Sequence, residues 1–129
     1  MDRRQEVPRK GPMADLLSSD PDTDVETFSI SERGSGYLFG EKDVNKFNHI
    51  NNIELVARAH QLIQEGYQFL FHNQLVTVWS VPNYCYRAGN VASIMEFDDH
   101  MNRSFKIFEE CPEYERNTQV KRPIPEYFL

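Results

Sequence analysis

The sequence predicts a β-rich α/β fold in one domain; two patterns support the fold class, and the length and composition support the single domain. One segment, residues 41–52, carries apolar side chains at the three-residue spacing of an amphipathic helix. Five other segments have the alternating or β-branched apolar composition of strands, namely residues 53–59, 67–71, 75–80, 91–97 and 104–108. The chain has 129 residues, of which 40% are hydrophobic, and both values are typical of one globular domain.

The first quarter of the chain shows little regular patterning. Residues 1–32 are polar and contain Pro8, Pro12 and Pro21, so they are predicted to form mostly loop. Within them, only residues 13–17 are apolar enough for a short strand. Four acidic side chains follow this segment: Asp20, Asp22, Asp24 and Glu26. We interpret this acidic run as a solvated surface, which is the usual environment of such a run.

Arg33 is the first candidate for a binding role. It precedes Gly34, Ser35 and Gly36, and glycine allows the backbone to form tight turns and to approach a ligand closely. The planar guanidinium of arginine matches two oxygens of a phosphate group at once. From residue type alone, the alternative is a surface turn with a solvated arginine.

The predicted helix and the strand after it lead to a histidine. Val44, Phe47 and Ile50 lie on one helical face, and the strand over residues 53–59 then alternates between two faces. His60 follows at the end of this strand. A neutral imidazole is a good ligand for divalent manganese, iron or zinc, whereas the alternative is a hydrogen-bonded core histidine.

The next two strands are predicted to form a hairpin that delivers a polar loop. Residues 67–71 and 75–80 are separated by three polar residues, which is a typical hairpin spacing. The second strand stops near Pro82, because proline donates no hydrogen bond to a strand ladder. The loop after it contains tyrosines, an arginine and a Gly-Asn pair, and a loop held by a rigid strand suits ligand contact. The alternative is a structural turn with packed tyrosines.

Charge and composition exclude several classes of function. The net charge of −6 argues against a nucleic-acid partner, whose phosphates require a basic surface. No apolar run approaches the roughly 20 residues that cross a membrane, and the N-terminus has no apolar signal core. Cys85 and Cys111 are interpreted as free thiols of a cytoplasmic or nuclear protein. After residue 110 the chain is charged and proline-rich, so the domain is predicted to end there and residues 111–129 to form a flexible tail.

Five short blocks, in order along the chain, resemble the metal-dependent serine/threonine protein phosphatases of the type 2A branch. The blocks are Arg-Gly-Ser-Gly-Tyr at residues 33–37 with Phe-Gly at 39–40, Arg-Ala-His-Gln at 58–61, Glu-Gly-Tyr at 65–67, Ser-x-Pro-Asn-Tyr-Cys-Tyr-Arg-x-Gly-Asn at 80–90, and Tyr-Phe-Leu at 127–129. The resemblance runs from residue 2 to residue 129. Residues 48–52 and 75–95 are most similar to the type-six phosphatases, with type four as the near alternative.

The resemblance implies a fold, an activity and a set of site residues. The fold would be a metallophosphoesterase-like α/β sandwich, of which this chain supplies the β-rich C-terminal part with one or two short helices. The family hydrolyses phosphoserine and phosphothreonine with a hydroxide bound to two divalent metals, either manganese or iron and zinc. By resemblance, Arg33 and Tyr84 would bind the substrate phosphate, and His60 would be one metal ligand.

The resemblance also assigns a role to the tail. The carboxylate of Leu129 would carry a methyl ester that promotes assembly with regulatory subunits, and Tyr127 matches a position that can be phosphorylated. The implied partners are regulatory or scaffold subunits and phosphoprotein substrates.

Several parts of the family's site do not occur in these 129 residues. The earlier metal-binding motifs and the general-acid histidine are missing, so the chain by itself is predicted to be inactive and to bind metal weakly or not at all. Three interpretations remain open, namely a C-terminal piece of a phosphatase, a naturally shortened relative, or a relic. An inactive relative that binds regulatory subunits is the alternative function.

Overall fold

The structure is a computed structural model, and it describes residues 2–112 and residue 115. In this part of the chain, two α-helices, one 3₁₀ turn and eight β-strands follow one another. In chain order they are α1 (Pro12–Ser18), β1 (Asp20–Pro21), β2 (Ser29–Ile30), β3 (Tyr37–Phe39), α2 (Glu41–Asn51), β4 (Val56–Arg58), β5 (Tyr67–Leu70), β6 (Leu75–Val78), the 3₁₀ turn (Tyr84–Tyr86), β7 (Ala92–Phe97) and β8 (Arg103–Phe108). This composition confirms the predicted β-rich α/β class.

The strands form three small sheets. In the first, β3 lies in the centre, parallel to β1 and antiparallel to β2. In the second, β6 lies between β4 and β5, and β4 runs parallel to β6. In the third, β7 and β8 pair antiparallel from Ala92 opposite Phe108 to Phe97 opposite Arg103.

The chain divides into two compact units. The first comprises Met1–Gln61 and Phe69–Thr77, and the second comprises Leu62–Gln68 and Val78–Leu129. In the first unit, Val44, Phe71 and Leu75 form a buried apolar cluster. The predicted boundary between residues 110 and 111 stays a prediction, because most residues beyond it lie outside the described part of the chain.

The N-terminal region contains more regular structure than the sequence predicted. The predicted strand over residues 13–17 is wrong, because this segment lies in the helix α1. Pro12 stands in the first turn, where its fixed φ favours a helix, and the residues after it are good helix formers. Ala14 on this helix is completely buried. The strands β1 and β2 also lie in a region predicted to be loop, and each has only two residues.

The helix α2 confirms the predicted helix to within one residue, but its buried face differs. Val44 and Asn48 are buried, whereas Phe47 and Ile50 are 53% and 67% exposed. The helix follows Gly40, where the backbone passes very close to a neighbouring loop. A Cβ atom at Gly40 would overlap the carbonyl oxygen of Val25, so only glycine fits there without a shift.

None of the described helices combines the length and the apolar character needed to cross a membrane.

Candidate functional site

Asp20 is the centre of a buried ionic cluster in the first unit. The residue begins β1 and is only 2% exposed. Its Oδ2 accepts a hydrogen bond from Nε of Arg33 at 2.7 Å, and its Oδ1 accepts one from Nη2 of Arg58, also at 2.7 Å. The interpretation of the whole acidic run as a solvated surface is therefore wrong at this position. Asp20 is buried because two guanidinium groups pair with its carboxylate.

Arg58, the last residue of β4, is held by further acceptors. Its Nη1 donates to Oε1 of Gln61 at 2.8 Å and to Oγ1 of Thr77 at 3.3 Å, and its Nη2 also donates to the carbonyl of Ser19 at 2.9 Å. Burial lowers the pKa of Arg58, and the hydrogen bond and charge of Asp20 oppose that shift. The side chain is 13% exposed, so it acts mainly as a fixed structural cation.

Arg33 is fixed by hydrogen bonds from its backbone N–H and from Nε of its side chain. Its backbone N–H donates to Oγ of Ser31 at 3.2 Å, and its Nε is occupied by Asp20. Its two terminal nitrogens, Nη1 and Nη2, make no hydrogen bond to any residue that the structure describes. The side chain is 33% exposed. Arg33 therefore has a fixed position and an open fork of N–H donors, which can bind two oxygens of an anion.

His60 lies two residues after β4 and has an unusual backbone conformation. Its φ of 86° lies in the region that favours glycine, which is a strain often found at functional sites. Its Nε2 is buried and has no hydrogen-bond partner among the described residues. Burial is the main cause of a lowered pKa of His60, the charges of Arg33 and Arg58 lower it further, and Asp20 opposes them. His60 is therefore neutral at pH 7, as a metal ligand must be.

The residues present fit a metal site only in part. The buried Nε2 of His60, which has no partner in the part of the chain that the structure describes, is suited to donate to a metal ion. Within residues 2–112, however, no group of three or more His, Cys, Asp or Glu side chains lies close enough together to hold one. The described residues thus offer one donor and not a complete site, and we derive no chemical step through a metal from them.

Tyr84 lies in the second unit, at the start of the 3₁₀ turn. Its ring packs edge-on against Trp79, with 4.9 Å between the ring centroids and 88° between the ring planes. Trp79 is itself buried and donates from Nε1 to the carbonyl of Val81 at 2.6 Å. The tyrosine is thus held against a fixed aromatic side chain, and its position is determined by the loop that carries it.

Two asparagines hold that loop together. Asn90 is 4% exposed, accepts a hydrogen bond on Oδ1 from the backbone N–H of Tyr84 at 2.8 Å, and donates from Nδ2 to the carbonyl of Val81. Asn83 accepts on Oδ1 from the N–H of Gly89 at 3.0 Å. Sequence reasoning emphasised the tyrosines and the arginine, and it missed this structural role. The sequence did offer a signal, namely an asparagine at each end of the loop. Asparagine tolerates the left-handed conformation, and Asn83 adopts it.

The structure places the candidate residues in different parts of the chain. Arg33 and His60 both lie in the first unit, near enough for the charge of Arg33 to lower the pKa of His60. Tyr84 lies in the second unit. The predictions for Tyr127 and Leu129 fall outside the described residues.

The fold is similar to that of part of one known class of protein, the serine/threonine phosphatases. A solved structure of a protein serine/threonine phosphatase from Saccharomyces cerevisiae, with similarity to human phosphatase PP5, matches 88% of this chain with a TM-score of 0.74 and 30% sequence identity. The match covers 39% of the yeast chain, so our chain spans well under half of that protein. No protein-family model matches the chain. The similarity supports the serine/threonine phosphatase family and does not distinguish its branches.

Proposed function

We propose that the chain is the C-terminal part of a metal-dependent serine/threonine protein phosphatase catalytic subunit, which hydrolyses phosphoserine and phosphothreonine when complete. One observation carries the proposal: Asp20 fixes Nε of Arg33, and the two terminal nitrogens have no hydrogen-bond partner among the described residues. The 30% identity to a solved phosphatase supports the same conclusion.

The charge of the cluster suits a phosphate group. Asp20 carries one negative charge, and Arg33 and Arg58 each carry a positive charge, so the cluster has a net positive charge. Because Arg58 is largely buried and its Nη1 and Nη2 already donate to protein groups, Arg33 is the member that can bind a ligand. An arginine fork that binds two phosphoryl oxygens neutralises part of the charge that spreads over them during transfer.

His60 is the proposed metal ligand of this part of the enzyme. When bound, two divalent metals supply the Lewis acidity that activates water and stabilises phosphoryl charge in such enzymes. We propose that His60 donates from Nε2, which is buried and has no partner among the described residues. The other ligands and the general acid would come from the part of the phosphatase fold that this chain does not span.

A phosphate-binding role is also proposed for Tyr84 of the second unit, on the resemblance of its loop to the phosphatase family. Its hydroxyl would contact the substrate phosphate, and the asparagine-held loop and Trp79 would fix its position. We also propose that the chain belongs to the type 2A branch, with type six or type four as the nearest subfamilies. The proposed metals are manganese, or iron and zinc. The proposed location is the cytoplasm or the nucleus.

The proposal is tested by titrating the purified chain with inorganic phosphate and measuring the heat of binding. We expect binding that Arg33→Gln weakens by about tenfold or more, because that substitution removes the charged fork. Arg3→Gln is the matched control, since Arg3 is an exposed arginine near the N-terminus of the same unit. Equal affinities of the wild type and Arg33→Gln would overturn the proposal.

A second proposed function is a non-catalytic one. The terminal Tyr-Phe-Leu, residues 127–129, resembles the tail through which type 2A phosphatases assemble, and it favours binding to phosphatase regulatory or scaffold subunits. A pull-down with a purified regulatory subunit tests it. Deletion of Leu129 should abolish recovery, and unchanged recovery would exclude this role for the tail.

A further inference from the structure

The segment that precedes α1 is basic, although the whole chain has a net charge of −6. Residues 3–10 contain four basic side chains and one acidic side chain. The last two of these residues, Arg9 and Lys10, are exposed. Their side chains form no ion pair or hydrogen bond with any residue that the structure describes. Two cations next to each other are therefore available to a ligand.

Contacts at both ends of α1 hold this basic pair near Arg33. The carbonyl of Arg9, three residues before the helix, accepts a hydrogen bond from Oγ of Ser35 at 3.2 Å. Just after the helix, Oγ of Ser19 accepts one from the backbone N–H of Tyr37 at 3.0 Å. Since Ser35 is two residues from Arg33 and α-carbons are about 3.8 Å apart along the chain, the backbones of Arg9 and Arg33 lie at most about 15 Å apart.

The acidic residues of the first unit do not cancel this charge. β1 and β3 run parallel, and the loop of residues 33–36 precedes β3, whereas the acidic residues 22–26 follow β1. The acidic run therefore lies toward the opposite end of the two strands from Arg33. Glu32 is an exposed carboxylate next to Arg33 in the sequence, and it offsets only one of the two charges of Arg9 and Lys10.

We propose that Arg9 and Lys10 select substrates that carry an aspartate or glutamate two to four residues from the phosphoserine or phosphothreonine. This inference rests on the proposed function, in which Arg33 binds the phosphate group. An extended peptide advances about 3.3–3.6 Å per residue, so such a carboxylate lies about 7–14 Å from the phosphorylated residue. That span fits the separation between Arg33 and the basic pair. Complementary charges of this kind favour one partner over another.

The experiment measures the binding of fluorescein-labelled phosphoserine peptides to the full chain by fluorescence anisotropy. One peptide has aspartate at the second to fourth positions on both sides of the phosphoserine, and the other has asparagine there. We expect the acidic peptide to bind about fivefold more tightly, because exposed ion pairs are individually weak. Arg9→Gln/Lys10→Gln should remove this preference and leave the affinity for the asparagine peptide unchanged.

Lys42→Gln/Lys46→Gln is the matched control. It removes the same two charges at exposed positions of α2, which follows β3 and so lies beyond the end of that strand farther from the loop of residues 33–36. The preference for the acidic peptide should persist in this variant. All four substituted side chains are exposed, so circular dichroism of both double variants should match that of the wild type.

Three results would overturn the inference. They are equal affinities of the wild type for the two peptides, a preference that survives in Arg9→Gln/Lys10→Gln, or equal losses of preference in the two double variants. In each case, phosphopeptide binding that Arg33→Gln weakens would leave the proposed function intact. If Arg33→Gln bound both peptides as tightly as the wild type, the proposed function would fail and the inference would fail with it.

Discussion

The carboxylate of Asp20 and the guanidinium of Arg58 form a buried ion pair, with 2.7 Å between Oδ1 and Nη2. Their side chains are 3% and 13% exposed. The two residues are 38 positions apart in the sequence, so this contact ties β1 to the end of β4. The same carboxylate holds Arg33, which makes Asp20 both a structural residue and a positioning residue for the proposed phosphate site.

Removal of the Asp20 carboxylate should destabilise the first unit strongly. Asp20→Ala leaves the buried guanidinium of Arg58 without its ionic partner, and a broken buried pair typically costs about 3–5 kcal/mol. The free energy of unfolding, measured by urea denaturation, should fall by this amount. Glu32→Gln changes an exposed carboxylate in the same unit and should cost almost nothing. A small loss for Asp20→Ala would show that the pair is not a main stabilising contact.

The stability of the first unit should decrease as the pH falls below the ordinary pKa of histidine. Because the pKa of His60 is lowered below 6.5 in the folded chain, the unfolded chain binds a proton first as the pH decreases. The contribution of His60 to stability is complete above pH 6.5. It is lost as the pH falls from 6.5 through the pKa that His60 has in the folded chain, which is lower. Urea unfolding at about pH 7.5 and about pH 5.5, with a chelator present, measures the difference. His60→Gln should reduce the difference in unfolding free energy between the two pH values. An identical pH dependence in the variant would contradict the assignment of this effect to His60.

Gly40→Ala should destabilise the start of α2. The new methyl group would overlap the carbonyl of Val25, and overpacking of this kind costs about 1–3 kcal/mol. The control is Asn45→Ala at an exposed position of the same helix, which should be neutral or slightly stabilising because alanine favours helices. Thermal unfolding followed by circular dichroism compares the two. A neutral effect of Gly40→Ala would mean that the two backbone segments are farther apart than the structure shows.

Asn90→Ala should loosen the loop that carries Tyr84. The substitution removes the Oδ1 atom that accepts one hydrogen bond and the Nδ2 group that donates two. The residue is only 4% exposed. Each buried group left without a partner costs about 1–3 kcal/mol. The chain has one tryptophan, Trp79, so its fluorescence and near-ultraviolet circular dichroism report the contact with Tyr84. Both the fluorescence and the circular dichroism should change in Asn90→Ala. Both should stay unchanged in the control Gln68→Ala, because Gln68 is an exposed amide of the second unit.

Segments with a long local pattern were predictable from the sequence. The helix predicted at residues 41–52 is Glu41–Asn51, and it ends where Asn52 adopts the left-handed conformation. The strands predicted at 91–97 and 104–108 are Ala92–Phe97 and Arg103–Phe108. These elements contain enough residues for apolar periodicity to be visible.

The two-residue strands β1 and β2 were not predictable in the same way. Their hydrogen bonds come from pairing with β3, and two residues cannot show a period. The helix α1 was missed because the three prolines before residue 22 favoured loop, although proline is well placed in the first turn of a helix.

The geometry of the candidate site depends on contacts between distant residues. The resemblance pointed to Arg33 and His60, but the burial of Asp20 depends on Arg33, 13 residues away, and on Arg58. An acidic run gives no local sign that one member will be buried. The orientation of the Arg33 fork, and the burial of the His60 Nε2 without a partner from the described residues, likewise required the three-dimensional structure.

A crystal structure of the chain soaked with inorganic phosphate would test the central claim most directly. The account predicts one phosphate group bound by Nη1 and Nη2 of Arg33 at about 2.7–2.9 Å, while Asp20 still accepts from Nε. A structure in which the terminal nitrogens of Arg33 bind protein groups and no phosphate lies beside them would contradict the account.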